Sequence, residues 1–296
     1  MSGADETAVG AVRESDANAR LSRELAHELA HELRELTTAR VGLERVGASL
    51  ATRPALEFTL AHAQARDAVH MALGVATMLA ALRERGLTAM AVKSAASDRA
   101  EYLRRRDLGR RLSVTSAERL AKGREQHGDE GGVRGTQAVV SVIVADGLSA
   151  LAAERHAMPL LDALLPLLRA ASAEELSGWT NGWTIAPIVV AEQARVALGD
   201  EIGAALGADV TVMLIGERPG LSAPDSLGAY VTWAPRVGMT DAERNCVSNI
   251  RAEGLDYAAA AERIAWMVRE GRRMGLTGID LAGVGLRGIG KIGASE

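Results

Sequence analysis

The 296-residue chain has a single cysteine, Cys246. That excludes an internal disulfide and a cysteine-rich zinc site, and it fits a reducing compartment, with the cytoplasm as the expected location. Aromatic residues make up only 3% of the chain, so the core must be aliphatic and closely packed. A basic excess is missing as well: the net charge is −4, and no basic run is interleaved with aromatics to stack bases. Nucleic acid is therefore not an expected partner. Long apolar runs are absent. Stretches such as "MALGVATMLAAL" fall short of the roughly 20 residues that cross a bilayer, and no charged-then-apolar leader resembles a secretory signal. A soluble protein with no membrane partner is expected.

The length suits one large domain or two smaller ones, and the patterning favours two. Residues 1–20 are polar without an apolar period and read as a loose tail. From 21 to 98 the spacing is helical: "RPALEFTLAHAQARDAVHMALGVATMLAALRERG" repeats apolar residues three and four apart, with Pro54 near its start and Gly86 at its end. A small helical domain is expected there. From 99 to 282 the pattern is that of an α/β domain. "AVVSVIVADGLS" is a continuous β-branched run, the mark of a strand buried on both faces of a parallel sheet. A helix from about Ala150 to Ala171 follows, then "WTIAPIVVAE" as a strand, "GDEIGAALG" as a helix, "DVTVMLIG" as a third strand and "GAYVTWAP" as a fourth. The amphipathic helix "DYAAAAERIAWMVREGRRMG" closes the domain. The expected fold is α/β: a helical N-terminal domain, then a Rossmann-like, doubly wound parallel sheet, with residues 283–296 a flexible Gly-rich tail.

Open parallel sheets bind ligands beyond the carboxyl ends of their strands, where loops and helix N-termini converge. That rule selects "ADGLS", "AEQARV" and "GERPGLS". In "GERPG" two glycines permit close backbone approach and Pro219 stiffens the loop, while Glu217 and Arg218 offer a carboxylate acceptor and a guanidinium fork. The bland alternative is an internal Glu217–Arg218 ion pair.

Other motifs weaken in context. "HELAH" matches the zinc-protease string H-E-x-x-H at His27, Glu28 and His31, but Leu25, Leu29, Leu33 and Leu36 recur at helical spacing, and a solvated amphipathic helix accounts for the stretch. "GVGLRG", from Gly283 to Gly288, has no room after it for the helix that a dinucleotide fingerprint needs. Ser149 resembles a hydrolase elbow, but Leu151 stands where the last glycine of G-x-S-x-G belongs, so an N-cap is the better reading. Cys246 reads as a small buried residue with no neighbour to activate it. His62, His70, His127 and His156 lack metal spacing.

Taken in order, "LTTARVGLERVG", "LAHAQARDAV", "YLRRRDLGRRLS", "VIVADGLSALAAE", "IGAALGADVTVMLIGERPGLSAPDSLGAYV" and "RNCVSNI" resemble the small subunits of ethanolamine ammonia-lyase, over about Arg34 to Asp280. The resemblance implies a lyase that uses adenosylcobalamin to convert ethanolamine to acetaldehyde and ammonia by a radical route. It implies a hetero-oligomer with equal numbers of two subunits, inactive as the small chain alone. A large TIM-barrel subunit would hold the substrate while the small one closes over the cobalamin. The family's cobalamin contacts fall on Val196, Glu217 and Cys246, and no catalytic residue or metal ligand is implied in this chain. No histidine fits D-x-H-x-x-G, so the cofactor is expected to keep its own dimethylbenzimidazole ligand. Arg106 departs from the family's "R-P-D-L-G-R-R-L", which has proline there. In some bacteria the N-terminus of this subunit directs the enzyme to a microcompartment, a possible location here. Two competing readings are a partner-docking α/β protein without a cofactor and a hydrolase using Ser149.

Overall fold

The computed structural model describes residues 25–126 except 27, 34, 38 and 44, then 138–170 and 183–281. The chain divides into two compact units, Met1–Gln64 and Ala65–Glu296. In the first, residues 28–33 are helical and Leu25, Leu29, Leu33 and Leu36 are exposed. A short hairpin follows: β1 (Arg45–Val46) pairs antiparallel with β2 (Ser49–Leu50). Gly47 turns it at a φ of +62°, a region glycine enters without steric cost. The helix α1 (Thr52–His70) carries Pro54 in its first turn, where the missing N–H has no helical partner to lose.

The second unit is built on one sheet. Its strands are β3 (Ala89–Lys93), β4 (Ala138–Ala145), β5 (Trp183–Ile185), β6 (Ile188–Glu192), β7 (Val210–Gly216), β8 (Leu227–Trp233) and β9 (Asn245–Ile250). The order is β3-β6-β4-β7-β8-β9, with β5 continuing alongside β4. Pairs β3–β6, β6–β4, β5–β4 and β4–β7 are parallel. At one edge β8 runs antiparallel to β7, and β9 antiparallel to β8. The expected doubly wound sheet is present, with these two antiparallel additions.

Alternation explains why the central strands read as unbroken apolar runs. Val140, Val142 and Val144 enter one core with Val190, Val212 and Leu214, covered by Met78 and Leu82 of α2 (Val75–Glu84), by α5 (Ala150–Ala170) and by Ile264 and Val268 of α7 (Tyr257–Met274). Ile143, Ala145, Val189, Met213 and Ile215 enter the other, beneath Leu120 of α4 (Val114–Gln126) and Leu198 and Ile202 of α6 (Leu198–Leu206). Both faces of the strands are therefore dry, as parallel sheets require.

Two elements differ from the sequence reading. The helical pattern expected over 21–98 ends earlier: Gly86 takes a φ of +68°, and Ala89–Lys93 is a strand hydrogen-bonded to β6. Five residues are too few for periodicity to separate a buried strand from one more helical turn. "WTIAPIVVAE" is two strands rather than one, since Ala186 and Pro187 separate β5 from β6, and proline cannot donate to a ladder.

Candidate functional site at the strand carboxyl ends

After β4 the chain enters α5 on one face of the sheet; after β6 it enters α6 on the other. Adjacent strands whose connections leave to opposite faces define a topological switch point, where such sheets open a crevice. Here the protein's own side chains fill it. Asp146 follows β4, and its carboxylate accepts from the backbone N–H of Gln193 (2.8 Å) and Ala194 (3.0 Å) in the loop after β6. Arg99 donates to it at 2.9 Å. Gln193 has a φ of +55°, uncommon for a side-chain-bearing residue. With its amide turned so that nitrogen faces the Ala96 carbonyl and oxygen the Arg99 N–H, the assignment that satisfies both, the side chain bonds them at 2.8 and 3.2 Å, so the strained backbone is held from several sides.

Tyr102, from the short helix α3 (Arg99–Arg104) that Asp98 caps, closes the crevice. Its hydroxyl lies 2.9 Å from the carbonyls of both Gly147 and Ala194 and, having one proton, donates to one at a time. Burial raises its pKa. Burial also raises the pKa of Asp146, against the pull of Arg99 and the two amides. Gly147 has a φ of +54°, and a Cβ there would stand 2.1 Å from the Gly216 carbonyl oxygen. The loops after β4 and β7 thus touch backbone to backbone.

Beyond β7 the surface opens. The backbone N–H of Glu217 donates to Ser226 O at 2.9 Å. Its carboxylate accepts from the Ser226 hydroxyl and from the Asn249 N–H, at 3.3 Å for the latter. The absence of a side chain at Gly228 makes room for this carboxylate, since a Cβ there would come within 3.0 Å of Oε1. Cys246 pairs with Tyr230 across β8 and β9. Burial, then Cys246 and Glu217, push the Tyr230 phenol up to about 12. Val196 and Tyr230 pack against the same core. The structure therefore gathers Glu217 and Cys246 around Tyr230 and sets Val196 on the same side of the sheet.

Cys246 is exposed, against the expectation of a small buried residue. Val247 and Ile250 take the covered face of β9, which turns Cys246 and Ser248 outward, with their Sγ and Oγ 3.1 Å apart. The bland alternative, an ion pair of Glu217 with Arg218, is not made: the carboxylate accepts from Ser226 and Asn249 instead.

The remaining motifs fall where a structural role suffices. Ser149 accepts from Ala152 N (3.2 Å), as an N-cap does, and donates to Pro224 O (2.8 Å). His31 lies on the exposed helix 3.7 Å from Glu35; His27 lies outside the described residues, as do His127, the segment Gly283–Gly288 and both expected tails. Among the described residues no group of His, Cys, Asp and Glu could hold a metal ion. His156 is buried, with Nδ1 2.9 Å from the Tyr257 hydroxyl and Nε2 3.4 Å from Asp225. Sequence reading missed Arg99, Tyr102 and Tyr230. "ADGLS" pointed to Asp146's loop, but nothing local announced that a distant helix would fill it.

Fold and site together define a doubly wound α/β domain whose switch-point crevice is sealed from within and whose polar surface lies over β7, β8 and β9. The profile of the family described as ethanolamine ammonia-lyase light chain (EutC) matches residues 27–282. An ethanolamine ammonia-lyase small subunit from Azotobacter vinelandii is 54% identical over 249 residues, 84% of this chain and 86% of the relative. Those from Pseudomonas aeruginosa and Xanthomonas campestris are 51% and 53% identical, with 84% of this chain and 85% of each relative covered. The chain belongs to the ethanolamine ammonia-lyase light chain family.

Proposed function

We propose that this chain is the small subunit that covers adenosylcobalamin in an ethanolamine ammonia-lyase, working with a large TIM-barrel subunit present in equal number and inactive without it. The assembled enzyme would convert ethanolamine to acetaldehyde and ammonia by a radical route. The observation that carries the reading is the Glu217 carboxylate at the end of β7, set beside the outward-facing Cys246 and Ser248. The chemistry of this set fits a corrin, whose rim bears primary amides. A carboxylate held by one hydroxyl and one long backbone contact keeps acceptor capacity for an amide N–H. Ser248 can both donate and accept, and Val196 offers an apolar neighbour for the ring edge.

When bound, the cofactor supplies the radical through its cobalt–carbon bond. This chain's part is to hold and orient the group and to shield it from water. It needs no general acid or base, which accords with Ser149 and His156 being tied into the fold. The cofactor would keep its dimethylbenzimidazole lower ligand: the sequence has no D-x-H-x-x-G, and His156 is turned inward to Tyr257.

The test is ammonia release from ethanolamine with adenosylcobalamin, using this chain alone, the large subunit alone, and both together. Turnover is expected only in the mixture. Absence of turnover in a mixture that is folded and associated would leave a docking protein as the better reading.

A further inference from the structure

Between Arg104 and Arg111 the chain carries five arginines and one carboxylate, Asp107. Arg105 occupies that carboxylate, at 2.9 and 2.7 Å. Among the described residues, Arg104, Arg106, Arg110 and Arg111 have no acidic partner, and all four are exposed.

This turn is locked to the loop that carries Val196. Arg195 donates its backbone N–H to Gly109 O at 2.8 Å. A Cβ on Gly109 would meet the Tyr102 ring at 2.8 Å and Arg195 Cγ at 2.9 Å, so glycine lets the two segments pack directly. The Arg195 guanidinium lies over the Tyr102 ring, 4.4 Å from its centroid, with Arg99 over the same ring at 4.8 Å. Among the described residues the guanidinium makes one hydrogen bond, a long one to Tyr102 O at 3.4 Å, and its buried Nε meets no acceptor. The nearby Asp146 carboxylate is already taken by Arg99, Gln193 and Ala194. Burial, together with the charges of Arg106, Arg99 and Arg110, lowers the pKa of Arg195. Cations gathered without a counter-charge repel one another, and guanidinium forks match the oxygens of a phosphate.

We propose that Arg195, with Arg106 and Arg110 beside it, is a receptor for a phosphate ester anion, and that the anion is the phosphodiester in the nucleotide tail of the cobalamin. The assignment rests on the cobalamin reading above. It also follows from position: Arg195 immediately precedes Val196, and a cofactor that keeps its dimethylbenzimidazole keeps the phosphodiester that tethers it. A free phosphate would offer the same chemistry, so the test must separate the two sources.

The experiment is a spectroscopic titration of the two-subunit complex with adenosylcobalamin and with adenosylcobinamide, which lacks the nucleotide tail and its phosphate. The proteins are the unmodified chain, Arg195→Gln, and the double variant Arg106→Ala/Arg110→Ala. Because Arg106 and Arg110 are exposed, the double variant keeps the test valid if Arg195→Gln loosens the packing on Tyr102. Thermal unfolding and subunit association are measured alongside. Arg195→Gln should weaken adenosylcobalamin about tenfold, the scale of one charge-assisted hydrogen bond, and the double variant should also weaken it. Adenosylcobinamide should be unaffected, and inorganic phosphate should compete with the full cofactor in the unmodified complex only. Equal losses for both corrinoids would overturn the proposal, indicating contact with the partner subunit instead. Phosphate binding that does not compete with cobalamin would overturn it in favour of a free-phosphate site. If the unmodified complex binds neither corrinoid, the cobalamin reading itself fails; if it binds both and the variants match it, only the phosphate receptor fails.

Discussion

Arg99 donates to the carboxylate of Asp146 at 2.9 Å, with 15% and 4% of the two side chains exposed. The pair sits where the loops after β4 and β6 meet, and the same carboxylate gathers two backbone N–H groups of the second loop. Arg99 also donates to Val69 O and Gly147 O. Removing one member of a buried pair leaves the other's charge uncompensated, which typically costs about 3–5 kcal/mol.

Arg99→Met should therefore lower unfolding stability by an amount in that range. Asp146→Asn should act in the same direction. The double variant should lose less than the sum of the two, because it leaves no buried charge behind. Urea unfolding of the three variants checks this, and additive losses would show that the two side chains act independently.

A second prediction concerns Tyr230, whose phenol is pushed up to about 12 by burial and by Cys246 and Glu217. The raised value means that folding favours the protonated phenol. Its contribution to stability is complete below the ordinary value of 10.0 and is lost as pH rises through about 12. A tyrosinate absorbance titration, read as the difference between the unmodified chain and Tyr230→Phe, should place Tyr230 near the upper end of this window. Loss of stability on the alkaline side should be smaller in the variant. Ionisation of Tyr230 near 10 would mean that it is not held against Cys246 and Glu217 as described.

The contrast between β4 and β3 shows what was legible in the sequence. Ala138–Ala145 announces itself because burial on both faces leaves no polar alternation, and eight residues suffice to see it. Ala89–Lys93 does not, since it is short and follows an apolar helix. The strand-end rule found the loops bearing Val196 and Glu217 without any structure. It could not find Tyr102 or Arg99, because their bonds to Gly147 and Asp146 span more than forty residues and depend on how helix α3 docks. The exposure of Cys246 was hidden for a related reason: alternation gives the two faces of an edge strand but not which of them a helix covers. On β9 the helix α7 covers the Val247 face, and the thiol faces out.

Glu217 offers the sharpest test of the proposed role, because its surroundings separate folding from binding. Its backbone N–H and carboxylate tie the end of β7 to Ser226 and Asn249, so some loss of stability is expected from any substitution. Glu217→Gln keeps the size and an acceptor oxygen but loses the charge; Glu217→Ala loses both. If the carboxylate accepts a corrin amide, Glu217→Ala should weaken adenosylcobalamin binding to the two-subunit complex by about tenfold to a hundredfold, and Glu217→Gln should fall between the two. Thermal unfolding identifies any part of the effect that comes from the loop. Alkylation of Cys246, the only cysteine, reports on the same surface: the exposed thiol should react in the free chain and be protected in the loaded complex. Unchanged affinity in both variants, with Cys246 still reactive in the complex, would remove the β7–β9 surface from the cofactor interface.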